Sequence, residues 1–181
     1  MGFLGIDQSL NATGICRIDV DANVIALATV TPDGLRDGQR LAFIKRAVAS
    51  MASVVEFAAI EGYSYDSVGR VFELGEIGGV IKVLLVEANI PYVVVPPVLV
   101  KKFATGTATA GKPAMMLAAR AMGAHIADDN QADAFFLAHI ARAYSQKTAR
   151  RRCEMEVIHT LSHPQPKKIR RRLRRLVNAA I

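Results

Sequence analysis

Residues 2–16, GFLGIDQSLNATGIC, decide how the rest of the chain is read. Gly2 to Ile6 is apolar enough for a short buried strand, and Asp7 ends it. An ionised carboxylate among apolar neighbours is costly unless a hydrogen bond, a salt bridge or a cation compensates it. Working outward, TGICRIDVD and VIALATVT read as two more strands joined by the turn-prone Asp21-Ala22-Asn23, which makes a three-stranded antiparallel meander.

Beyond Pro32-Asp33-Gly34, Leu41, Ile44, Val48, Met51, Val54 and Val55 recur at helical spacing and predict a helix through 38–57. AAIEG is an apolar run that ends in a second lone acid, Glu61. A long glycine-dotted helix is expected over 67–90, and YVVV is a strand closed by Pro96-Pro97. Strand, helix, strand is a βαβ unit, so parallel pairing with a right-handed crossover follows. PVLVKKFATG then reads as a short helix, TATAG as a loop and KPAMMLAARAMG as a helix with Pro113 in its first turn. DDNQADAFFLAHIARAYSQ opens with acids suited to a helix N-terminus and continues as a helix. This order is that of a ribonuclease H-like α/β fold, with a central mixed five-stranded sheet flanked by helices.

Charge divides the chain. Residues 147–181 hold 11 Lys and Arg against Glu154 and Glu156, a balance of +9 within a total of +7, so the first 146 residues carry about −2. A near-neutral domain over 1–146 with a basic C-terminal tail over 147–181 points to a polyanion, of which nucleic acid is the commonest. Ile169, Leu173, Leu176 and Val177 share one helical face of the tail, so a partly helical segment is expected, with a membrane-surface helix as the rival. Cys16 and Cys153 offer neither a disulfide framework nor a zinc site. The most apolar later stretch is broken by Glu87, Asn89 and prolines, so no membrane span or signal peptide is expected. A reducing, cytoplasmic setting fits, in a bacterial cell or a phage-infected host.

Asp7 ends the first strand, Glu61 the fourth, and Asp133 lies near the start of the last long helix, so all three are placed to meet at one rim of the sheet. Asp129 and Asn130 precede Asp133 by four and three residues and share its helix face. Two carboxylates about 4 Å apart repel by roughly 4 kcal/mol at an effective dielectric near 20, so such a cluster calls for a cation. An oxygen-only donor set favours Mg²⁺ or Mn²⁺ over zinc, and a pair of such ions about 3.5–4 Å apart supports phosphodiester hydrolysis. Each acid also has a plain structural explanation: Asp7 as a turn cap, Glu61 as a partner of Arg70 or Lys102, Asp133 as a helix N-terminal acid.

Four blocks in order, GIDQSLNATGIC, AAIEGYS, GEIGGVIKVLLVEANIPYVVVPPVLVKKFATGTATAGKPAMM and ADDNQADAFFLAHIA, resemble RuvC-type Holliday junction resolvases over residues 2–146, as a phage or divergent branch. The resemblance implies a homodimeric, metal-dependent endonuclease that nicks opposing strands of four-way junctions. It assigns Asp7, Glu61 and Asp133 as catalytic acids holding two ions, with Asp129 the favoured fourth. It makes Lys102 and Lys112 phosphate contacts. Two positions depart from the family pattern. The acid or His that the family usually places three residues before the last Asp is Asn130 here, with Asp129 one step earlier, so either is the fourth ligand. The family's base-stacking aromatic falls on Ser64, leaving Tyr63 or Tyr65 to supply it. Arg170, Arg171 and Arg174 of the tail are expected to contact DNA without a family counterpart.

The expected activity is therefore junction resolution, with branched DNA and a second copy of the chain as partners, Mg²⁺ as cofactor and no nucleotide cofactor. The alternatives are an endonuclease of broader specificity for flaps and forks and a non-catalytic DNA-binding module on the same fold. An actin-like phosphotransferase is disfavoured, because no second glycine-rich phosphate loop appears and the chain is short for a two-domain clamp.

Overall fold

The computed structural model describes residues 1–63 and 71–164. Five strands are present: β1 (Gly2–Asp7), β2 (Thr13–Asp19), β3 (Val24–Val30), β4 (Val55–Glu61) and β5 (Tyr92–Val95). The described helices are α1 (Asp37–Met51), α2 (Val71–Glu87), α3 (Pro97–Thr105), α4 (Lys112–Ala121), α5 (Asp129–Gln146) and α6 (Arg152–Ser162). The sheet runs β3-β2-β1-β4-β5. β1 pairs antiparallel with β2 and parallel with β4, and β4 pairs parallel with β5, so the sheet is mixed as expected.

β1 lies at the centre and is buried at every residue, as a strand covered on both faces must be. One face packs on α1 and α2 through Leu4, Ile6, Ile44, Val48, Ile77 and Ile81. The other packs on α5, with α3, α4 and α6 outside it, through Phe3, Phe103, Met115, Phe136 and Val157. α5 is apolar on most of its circumference and is the helix that crosses β1 most closely.

Glycine sets that closeness. A Cβ on Gly5 of β1 would collide with the Ala134 carbonyl oxygen and the Ala138 amide of α5, and one on Gly14 of β2 with the Asn130 carbonyl. The glycines of GID…TG thus bring a helix backbone down onto two strands, with Ala134 and Ala138 small on the facing side.

One boundary differs from the sequence reading. The helix predicted through residue 57 stops at Met51, with Ala52 at its C-cap. Val54 sits at φ +60° and is exposed, and Val55 already belongs to β4. Apolar spacing carried across the turn by coincidence, because β4 begins on the same register of valines that a longer helix would have used. Within the segment read as a partly helical basic tail, α6 buries Val157 and Ile158 against α3 and α5. The amphipathic stretch over 167–181, with Arg170, Arg171 and Arg174, lies outside the described residues, as do Ser64, Tyr65 and Arg70.

Candidate active site

The C-terminal ends of β1 and β4 and the first turns of α5 converge on an open cleft of about 290 Å³. Asp7, Glu61, Asp129, Asn130, Asp133 and Lys112 line it, with Gln8 and Tyr63 at its side. Each arrives for a local reason. Asp7 is the last residue of β1, held by pairing to Gly14 of β2, and Glu61 is the last of β4. Asp133 rides on α5, whose approach Gly5 and Gly14 permit. Gln8 links the strand ends, its amide donating to the Glu61 carbonyl at 2.7 Å.

The start of α5 separates three adjacent polar residues by role. Asp128 is the N-cap: its Oδ1 accepts from the Gln131 amide at 2.8 Å, and its carboxylate accepts from the Thr29 hydroxyl at 2.7 Å. That anchors α5 to β3 and keeps Asp128 as a structural acid. Asp129 and Asn130 both line the cleft. Asp129 forms an ion pair with Lys112, whose ammonium is largely exposed.

The electrostatics are those of a crowded acid cluster. Burial, and after it the neighbouring Glu61 and Asp133, hold the Asp7 carboxyl well above the usual range. Burial also raises Glu61, opposed by the hydrogen bond to Asp7 and by Lys101. The two carboxyls are hydrogen-bonded to one another, so their titration belongs to the pair. Asp133 is pushed up to about 7, first by burial and then by Glu61 and Asp129. Asp129 goes the other way, held low by its hydrogen bond to Lys112. Among the described residues, no three or more His, Cys, Asp or Glu side chains stand grouped so as to hold a metal ion; Asp7 is hydrogen-bonded to Glu61, and Asp129 is paired with Lys112.

The lysines separate differently from the expectation. Lys112 reaches the acids, but Lys102 turns away and pairs with Glu156 of α6 at 2.7 Å. Its neighbour Lys101 is the α3 lysine whose charge is felt by both Glu61 and Asp133. Val100, Phe103 and Ala104 face the core, and that pattern is the signal that could have chosen between the two lysines. Tyr63 packs its ring against Gly78 of α2, with the hydroxyl 3.4 Å from the Gly75 carbonyl and Lys82 over the ring. The other aromatic candidate, Tyr65, lies outside the described residues.

The architecture is that of the ribonuclease H-like class in the form found in RuvC. Thermus thermophilus RuvC superposes with a TM-score of 0.69 over 83% of this chain and 99% of that one, at 22% identity. T. thermophilus RuvC in complex with Holliday junction substrate gives 0.68 over 76% and 90%, also at 22% identity. No family model matches the chain, and no curated protein matches it in sequence.

Proposed function

We propose that this chain is a divalent-metal-dependent, structure-selective DNA endonuclease that resolves four-way junctions by paired nicks. The observation that carries the reading is the convergence of Asp7, Glu61, Asp129 and Asp133 in one open cleft, on a fold shared with a protein solved on a Holliday junction substrate.

The chemistry of the donor set suits a hard cation. Every carboxylate there presents oxygen, and Asp7 is buried among like-charged neighbours that destabilise its ionised form. Asp7, Glu61 and Asp133, with Asp129 or the Asn130 amide oxygen as a fourth ligand, would hold two Mg²⁺ ions, and Mn²⁺ by the same chemistry. Bound cations would supply Lewis-acid activation of water and neutralise charge developing on the phosphate. The protein's own part is to fix the carboxylates at strand ends, to give up the Asp7–Glu61 hydrogen bond as the two take up a ligand role, and to seat the backbone phosphate with Lys101 and Lys112. Tyr63 packs on α2 beside the end of β4, and Tyr63 or Tyr65 would supply the base stacking.

A second copy of the chain supplies the opposing nick. Phe72, Glu76, Gly79, Val83 and Val86 follow one another at helical spacing along the exposed side of α2. Among the described residues, a Cβ at Gly75 or Gly79 would meet nothing within 4 Å, so these glycines leave room for a close helix–helix approach between copies.

The test is a substrate panel. A four-way junction, a flap, a fork and a linear duplex are incubated with the purified protein in Mg²⁺ and in EDTA. Symmetric nicks in the junction, absent in EDTA, support the reading; equal cutting of flaps and forks moves it to a general branch nuclease, and binding without cutting in Mg²⁺ or Mn²⁺ overturns it.

A further inference from the structure

α6 reaches back to the end of α3. The guanidinium of Arg151, the residue before the first turn of α6, donates through Nη2 to the Phe103 carbonyl at 2.6 Å and through Nη1 to the Ala104 carbonyl at 3.2 Å. Its Nε donates to Glu154 Oε1 at 2.6 Å, and Glu154 Oε2 accepts from the Arg150 and Arg151 amides at 2.9 and 3.1 Å. The fork is therefore aimed before it meets α3. A second link stands beside it, from Lys102 Nζ to Glu156 at 2.7 Å, and Glu156 also accepts from Arg152 at 3.0 Å.

The carbonyls that close a helix have no partners within it. In α3 the Gly106 amide takes the Lys102 carbonyl and the Thr105 hydroxyl takes that of Lys101, while Arg151 takes the next two. A cation there also complements the helix dipole. α3 spans only 9 residues, short for a helix that must stand without tertiary support. It presents Val100 and Phe103 to the core and Lys102 to α6, and it starts two residues after Val95, which pairs with Glu61 and whose carbonyl accepts from the Gly62 amide at 2.8 Å, so Lys101 stands in the second turn from the acid-bearing strand end.

We propose that Arg151 is a positioning residue for the cleft: by clamping the last turn of α3 through Phe103 and Ala104, it fixes where Lys101 stands relative to the carboxylates. This rests on the nuclease reading of the cleft, and it makes the segment after α5 part of the catalytic apparatus through α6. Lys101 touches the phosphate; Arg151 acts only through α3.

The experiment combines single-turnover cleavage of a synthetic four-way junction, junction affinity, and hydrogen exchange of the full-length protein. The proteins are wild type, Arg151→Ala, Arg151→Lys, Lys101→Ala and the double alanine variant. Arg151→Ala is expected to slow cleavage by about tenfold to a hundredfold, the scale of a small misplacement of a reacting group, with a much smaller change in affinity. Arg151→Lys, which keeps the charge and loses the fork, falls between. The double variant is no slower than Lys101→Ala, and amides 101–106 exchange faster in Arg151→Ala while β1 and α5 stay protected. Additive losses in the double variant, or unchanged exchange in α3, overturn the proposal. If Arg151→Ala also loosens β1, Arg151→Lys with the same readouts decides. A wild-type protein that cuts no DNA sinks the nuclease reading itself, whereas the exchange of α3 still reports whether Arg151 holds it.

Discussion

Asp7 is 6% exposed, and its surroundings are arranged so that ionising it opposes folding. The same holds for Asp133, whose carboxyl moves from 3.8 to about 7. A carboxyl with a raised folded-state pKa keeps its proton longer when folded. Between about pH 4 and pH 7 the native state therefore binds more protons than the unfolded one, and stability falls as pH rises through that window. In EDTA, Asp133→Asn should raise the denaturation midpoint over wild type at pH 8 and by much less at pH 4, and in Mg²⁺ it should abolish cleavage. A variant less stable than wild type at pH 8 would contradict the cluster as described. Gly5 is the structural counterpart: Gly5→Ala has no space beneath α5, and overpacking of this kind destabilises by about 1–3 kcal/mol. Urea melts should show that loss, with cleavage lowered further because α5 carries Asp133.

Much of this was legible residue by residue. Asp7, Glu61 and Asp133 each stand at a strand end or an early helical turn, positions that a pattern of apolar runs can locate. The α3 lysine was not legible in the same way, because Lys101 and Lys102 are adjacent and only the packing of α3 against α5 and α6 decides which one faces the acids. Asp129 and Asn130 both reach the cleft because the N-cap falls on Asp128, one residue ahead of the acid in question.

At the scale of elements, helix type and order follow from periodicity, but the α1–β4 boundary did not. Val54 and Val55 satisfy a helical repeat and a strand alike, and the turn at Ala52–Val54 carries no Gly or Pro to mark it. α2 behaves as two faces. Ile77, Gly78, Ile81 and Leu85 are buried, and the opposite side carries the glycines and valines proposed to meet a second copy. Val83→Glu, at a side chain 53% exposed, is expected to leave the monomer's thermal stability nearly unchanged, since exposed substitutions typically fall within about 0.5 kcal/mol. Sedimentation should then show a shift from dimer to monomer, and junction products should change from paired to single nicks. A variant that stays dimeric would remove α2 from the interface.

For the whole molecule, an architecture shared with RuvC at 22% identity shows how little of the sequence such a fold requires. It needs apolar strands at set intervals, glycine where α5 meets β1 and β2, and acids at the strand ends. Charge is distributed more freely. Residues 165–181 carry 7 Lys and Arg, and each phosphate neutralised on duplex DNA adds about 0.9 to the log–log salt slope. Truncation after residue 164, which keeps α6 and its clamp on α3, should flatten the salt dependence of junction binding by several units and leave cleavage at low salt largely intact. Equal slopes for the full and truncated chains would assign the basic segment to another role. Among the described residues, no helix is long and apolar enough to cross a membrane.

The most direct test of the account compares wild type with Asp7→Asn on a four-way junction in Mg²⁺, reading binding and cleavage in the same samples. The change keeps the size of the side chain and relieves a buried charge, so the variant should fold and bind the junction with wild-type affinity. The account predicts that its cleavage falls to the level seen in EDTA. Cleavage by Asp7→Asn at the wild-type rate would contradict it, since no other arrangement of the cleft leaves Asp7 a bystander.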